Sequence, residues 1–85
     1  MSFLVSYKSE GKYYFKEKEG LKPNTVRLVD YSDERFKILI THAARTAPYT
    51  GYIKICLVGA EEEFFIREIE DISIYNELVI ISWKV

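Results

Sequence analysis

The chain has 85 residues, a formal net charge of −1, 48% apolar residues and 15% aromatic residues. One domain is expected, apolar enough to bury a core and above the roughly 40-residue level below which disulfides or metals are usually needed. That composition argues against disorder, and no apolar run approaches the roughly 18 residues of a membrane span.

No charged-then-apolar leader precedes the first strand, and the single cysteine, Cys56, cannot form an internal disulfide. A cytoplasmic, reducing location away from membranes is therefore expected. Charge is spread unevenly. Lys and Arg outnumber acids six to three over residues 1–27 and four to three over 28–60, whereas acids lead seven to two over 61–85. A broad basic surface for gripping long duplexes is missing. A local basic patch in the first third suits one nucleotide or a short strand, and the acidic end suits a basic protein partner.

Phe3 to Tyr7 reads as a strand and Lys8 to Gly11 as a turn. Over Lys12–Glu19, Tyr13, Tyr14 and Phe15 favour a strand returning on the first as a hairpin. The tail Lys16-Glu17-Lys18-Glu19 instead favours a short helical turn closed by Gly20; the hairpin is the reading preferred. Pro23 bars a helix through the next segment and pushes Lys22 toward extended geometry. Thr25 to Val29 is a short strand.

Ser32 or Asp30 caps a helix whose first turn carries acids and whose apolar positions are Phe36, Leu39, Ile40 and Ala43. Arg45 stands near its end. Thr46 to Gly51, with Pro48, is a loop. Tyr52 to Val58 is a strand with Ile53, Ile55 and Leu57 on one face, and Gly59 to Glu62 is a turn. Phe64 to Ile74 is a longer strand that bends near Asp71, where its apolar parity switches. Leu78 to Val85 is apolar on both faces, which places it centrally or in a closed barrel. The sum is a small α+β domain with five or six strands and one main helix, in a curled sheet or partly closed barrel.

The segment Gly20-Leu21-Lys22-Pro23-Asn24-Thr25-Val26-Arg27 gathers two cations, a hydroxyl and an amide in eight residues. Gly20, Lys22, Thr25 and Arg27 match the Gly-x-Lys-x-x-(Glu or Thr)-x-Arg signature of the ASCH domains, a branch of the PUA-like superfamily, and the chain resembles that family here. The resemblance implies a single domain over residues 1–85, built as a PUA-like barrel or a curled, mostly antiparallel sheet. The Thr form is similar to the branch of small amidohydrolases that act on acetylated cytidine. Carried over, Lys22 would be the base, Thr25 the nucleophile, and Arg27 the positioner of an anionic or carbonyl group. Pro23 stands where that branch commonly has Thr. No helix after the motif offers the branch's Glu, which leaves Glu68, Glu70 and Glu77 by elimination.

Elsewhere the plainer reading comes first. His42 is a half-exposed residue near a helix end, Cys56 a small apolar strand residue, Glu61-Glu62-Glu63 a hairpin tip and Trp83 a core residue. No spacing matches a metal site, and neither metal nor cofactor is expected. Tyr13, Tyr14, Phe15, Tyr49 and Tyr52 are candidates to stack on a base, though strand aromatics more often serve the core or cross-strand pairs; Tyr49 and Tyr52, which flank a loop, are the best placed.

The expected function is that of an ASCH-like domain recognising RNA or a modified nucleoside. Its site would comprise Lys22, Asn24, Thr25, Arg27 and Tyr49, with amidohydrolase activity as the catalytic extension. The rival expectation is a small accessory protein, of phage or mobile-element type, that binds a partner protein through an edge strand or an acidic face. Either could be a monomer or a homodimer.

Overall fold

A computed structural model of the chain describes residues 3–43 and 51–85. In chain order the elements are β1 (Phe3–Ser9), α1 (Gly11–Lys18), β2 (Asn24–Leu28), α2 (Glu34–Ala43), β3 (Gly51–Leu57), β4 (Ala60–Tyr75) and β5 (Leu78–Trp83). The strands form one sheet in the order β1-β3-β4-β5-β2. Only the β1–β3 pair is parallel; the other three pairings are antiparallel. An α+β domain with a mostly antiparallel five-stranded sheet is therefore present. Barrel closure is not: β1 and β2 are the two edges and share no backbone ladder among the described residues.

The long strand β4 joins the two halves of the sheet. Its first part pairs with β3, and from Ile69 onward it pairs with β5. The register shifts between Ile69 and Asp71, leaving Glu70 without a cross-strand partner. A bulge of this kind bends a strand and moves its inward side chains by one position. Phe65 and Ile69 point inward before it and Ile72 after it, so the parity switch in the sequence marks a real bend.

Both helices cover the inner face, α1 against β3 and α2 against β4. The core comprises Val5 and Tyr7 of β1, Ile53 and Ile55 of β3, Phe65, Ile69 and Ile72 of β4, and Val79, Ile81 and Trp83 of β5. Tyr14, Phe36 and Leu39 enter it from the helices. Full burial of a side chain such as Leu39 or Phe36 is worth about 1.5–3 kcal/mol, and those two hold α2 to the sheet. Ile40 is exposed and Ala43 packs at the margin. Strand β5 is central, flanked by β4 and β2, but Leu78 is exposed. Burial is one-sided there, contrary to the sequence reading.

The hairpin expected for Lys12–Glu19 is replaced by helix α1, and the single main helix becomes two. Gly11 starts that helix instead of turning the chain with positive φ. Three consecutive aromatics do not report a period. Tyr14 and Glu17, three apart, form the buried face, while Tyr13 and Phe15 are left exposed. The helix ends as the alternative reading described. Gly20 has φ +81°, its N–H donates to Glu17 O at 3.3 Å, and Leu21 N–H donates to Lys16 O at 3.0 Å. That is the Schellman arrangement, and it needs a residue at ease in the left-handed region.

Two local corrections follow. Helix α2 is capped by Asp33, whose Oδ1 accepts from Arg35 N–H at 2.9 Å; Asp30 instead makes a turn with Ser32 N–H at 3.0 Å. The β3–β4 turn is Val58-Gly59, with Gly59 at φ +87°. The glutamates 61–63 lie just beyond it without Cα partners on β3. Expectations for Arg45, Pro48 and Tyr49 fall outside the described residues.

Candidate functional site

The Schellman turn reverses the chain after α1, and Lys22 N–H donates to the same Lys16 carbonyl as Leu21, at 3.1 Å. Pro23 then enters the edge strand, where its missing donor costs nothing, and its carbonyl accepts from Trp83 N–H at 3.1 Å. Those constraints put the Lys22 side chain over the end of α1. Lys22 Nζ donates to Asn24 O at 2.8 Å and lies 3.4 Å from Glu17 Oε2. Alternation along β2 points Thr25 and Arg27 to the inner face.

A cleft of about 560 Å³ opens here, with Ser9, Tyr13, Glu17, Lys22, Thr25 and Arg27 in its wall. Its size falls within the range of small-molecule sites. Lys22, Thr25 and Arg27 therefore face one hollow. Asn24 does not line it; only its backbone carbonyl reaches Lys22. Tyr52 is on the opposite face of the sheet beside Phe3, Leu4 and Ile66, and the aromatic at the cleft is Tyr13.

Arg27 is committed inside the protein. Its Nε donates to Thr25 Oγ1 at 2.9 Å, Nη1 to Lys8 O at 2.8 Å and Nη2 to Ser9 Oγ at 2.9 Å. Three of its five N–H groups are thus used; the two on Nη1 and Nη2 tie β2 to β1 across the open edge of the sheet, and the Nε bond stays within β2. Burial pulls its guanidinium below the ordinary pKa, opposed by the negative charge of Glu17. Its Cζ lies 4.9 Å from the Tyr7 ring centroid, and the Arg35 Cζ approaches the same ring at 4.2 Å. Arg35 reaches the β1 edge as well, donating to Ser6 O at 2.6 Å while Asp33 accepts from it in bidentate fashion. That hydrogen bonding holds the Asp33 carboxyl below its usual range.

Glu17 was the residue that sequence reasoning missed. The candidates Glu68, Glu70 and Glu77 lie elsewhere, with Glu68 paired to Lys84 on the surface at 3.5 Å. Glu17 precedes the motif, is 1% exposed, and sets its carboxylate beside Lys22. Its Oε1 has no hydrogen-bond partner among the described residues. The signal was present in the spacing of Tyr14 and Glu17, and it is readable only once α1 is a helix. Of the other candidates, Tyr14 is fully buried and donates to Glu63 at 2.6 Å, which removes it from any stacking role. Cys56 is buried beside the core. No group of His, Cys, Asp and Glu among the described residues could hold a metal, and no described helix is long and apolar enough to cross a membrane.

The chain was compared with protein-family models, with curated proteins and with solved structures, and none of the three gave a match.

Proposed function

We propose that this is an ASCH-like ligand-binding domain that recognises RNA or a modified nucleoside through the Lys22–Thr25 cleft. One observation carries the reading: Lys22, Thr25 and Arg27, the polar residues of the motif, line a single cleft of ligand size. Thr25 Oγ1 already accepts from Arg27, so its own proton is directed to another acceptor. The third N–H of Lys22 is a second donor. Tyr13, 45% exposed at the rim, offers a face on which a base can stack. Arg27 acts through Thr25 and β1 more than as a direct clamp.

Amide hydrolysis is the catalytic extension of this reading and ranks below binding. Lys22 donates to Asn24 O and Glu17 as an ammonium, and would have to turn from them and give up a proton to solvent before it could take the Thr25 proton. The test is calorimetric binding of a panel of modified nucleosides, with turnover followed in parallel, for the wild type and Lys22→Ala. Binding by the wild type that the variant loses is the expected result. A variant that matches the wild type on every ligand refutes the site.

A second reading has one observation in its favour. Leu4, Tyr52, Phe64 and Ile66 expose apolar side chains on the outer face of β1, β3 and β4. This patch suits a protein partner. The acidic end suits one less well, because Glu61, Glu63 and Glu68 are each paired with a lysine of the chain itself. Leu4→Lys/Ile66→Lys would abolish such an association and leave nucleoside binding intact.

A further inference from the structure

We propose that Glu17 Oε1 is a ligand contact, and that it selects an uncharged heterocycle presenting an N–H donor beside an acceptor, in preference to a phosphate group. The proposal rests on the cleft being the binding site and names what the cleft reads.

Glu17 is the only buried charged residue among those described, at 1% exposure. A carboxylate withdrawn from water is tolerated when it is paired and hydrogen-bonded on its remaining lone pairs. Neither condition is met well. Lys22 stands 3.4 Å away, longer than the about 2.7–2.9 Å of a strong charge-assisted bond, and its shorter bond goes to Asn24 O. Arg27 directs three N–H groups to Thr25, Lys8 and Ser9. Glu17 lines the cleft, and its buried Oε1 has its acceptor capacity unused among the described residues. Buried polar atoms are satisfied so regularly that such an exception calls for a cause, and a donor on a bound molecule provides one.

The rest of the wall complements that donor. Thr25 O–H and Lys22 N–H face the same space and donate to a ligand oxygen or ring nitrogen. An amino heterocycle offers both groups on one edge. A phosphate would satisfy Lys22 but would set its negative oxygens beside the Glu17 carboxylate, whose charge is offset only at 3.4 Å by Lys22 and through space by Arg27, and like charges repel at reduced dielectric. The local excess of lysine in the first third of the chain thus does not make this cleft an anion site.

The experiment titrates the full chain with cytidine, adenosine, their N,N-dimethyl analogues (which lack the exocyclic N–H), and ribose 5-phosphate. Wild type, Glu17→Met and Glu17→Gln are compared, each with a thermal melt. The expected result is wild-type binding of an amino nucleoside that falls at least tenfold for its dimethyl analogue, with a similar fall for Glu17→Met. Glu17→Met should melt no lower than the wild type, because it removes a poorly satisfied buried charge; a purely structural ion-pair role would lower the melt. Glu17→Gln should gain affinity for ribose 5-phosphate.

Equal binding of an amino nucleoside and its dimethyl analogue, or unaltered binding by Glu17→Met, overturns the role of Glu17 while leaving the cleft as the site. Tighter wild-type binding of ribose 5-phosphate than of any nucleoside also overturns it. Failure of the wild type to bind any of these probes overturns both this proposal and the site beneath it.

Discussion

Replacing Arg27 by Met removes the guanidinium and keeps the apolar stem, and its effect can be worked from the bonds at the sheet's open edge. Three acceptors lose their donor: Thr25 Oγ1, Lys8 O and Ser9 Oγ. The Lys8 bond is exposed, and water replaces it. Ser9 and Thr25 are 6% and 3% exposed, so water reaches them poorly. A hydrogen bond from a charged donor has a net worth of about 1.5–3 kcal/mol. Two such bonds, discounted for the half-buried donor, place the loss at about 2–4 kcal/mol.

In a chain of this size each 1 kcal/mol moves the melting temperature by about 4–8 °C, so a fall of about 8–30 °C is expected in calorimetry. Urea denaturation of the Arg27→Met, Ser9→Ala and double variants gives the coupling between the two side chains, expected at about 1 kcal/mol or more. A melting temperature within about 4 °C of the wild type, or strict additivity in the cycle, would refute the claim that Arg27 fastens β2 to β1.

Three further outcomes are expected. Tyr14→Phe deletes the 2.6 Å bond to Glu63 from a fully buried ring and should lower the melting temperature by about 5 °C, the scale of one net hydrogen bond; no change would place that bond in solvent. Glu63 is held below the usual Glu value of 4.5 by hydrogen bonds from Tyr14 and Lys18. Its contribution is therefore complete above that value and lost as pH falls through the lower folded pKa. Glu63→Gln should lower stability near neutrality and flatten the acid limb of a stability-versus-pH curve below about pH 4.5. Gly20→Ala puts a Cβ on a backbone at φ +81° and against the Val85 side chain. It should cost more in urea unfolding than the about 1–2 kcal/mol of left-handed strain, whereas Gly59→Ala, with open space around it, should cost only that strain.

Much of the fold was legible where burial imposes a single period. Ile53 and Ile55 alternate with outward residues in β3, and Phe36 and Leu39 keep a helical spacing in α2. The change from Phe65 and Ile69 to Ile72 located the bulge. Lys12–Glu19 was misread because Tyr13, Tyr14 and Phe15 satisfy either period and only Tyr14 is buried. Its strand partner was also misassigned: β1 pairs in parallel with β3, a long-range choice on which local pattern is silent.

The site followed the same division. Lys22, Thr25 and Arg27 were visible as a motif because the turn that gathers them is local. Glu17 was hidden behind the misread helix. Ser9, Tyr7 and Arg35 were hidden because they reach Arg27 only through tertiary packing across the sheet edge.

The most direct test of the binding account is an amide chemical-shift titration of the labelled protein with an amino nucleoside. Shifts gathered on Ser9 to Tyr13, Glu17, Lys22 to Arg27 and Val58 are the result predicted. Shifts confined to Leu4, Tyr52 and Ile66 on the outer face, or none at saturating ligand, would contradict it.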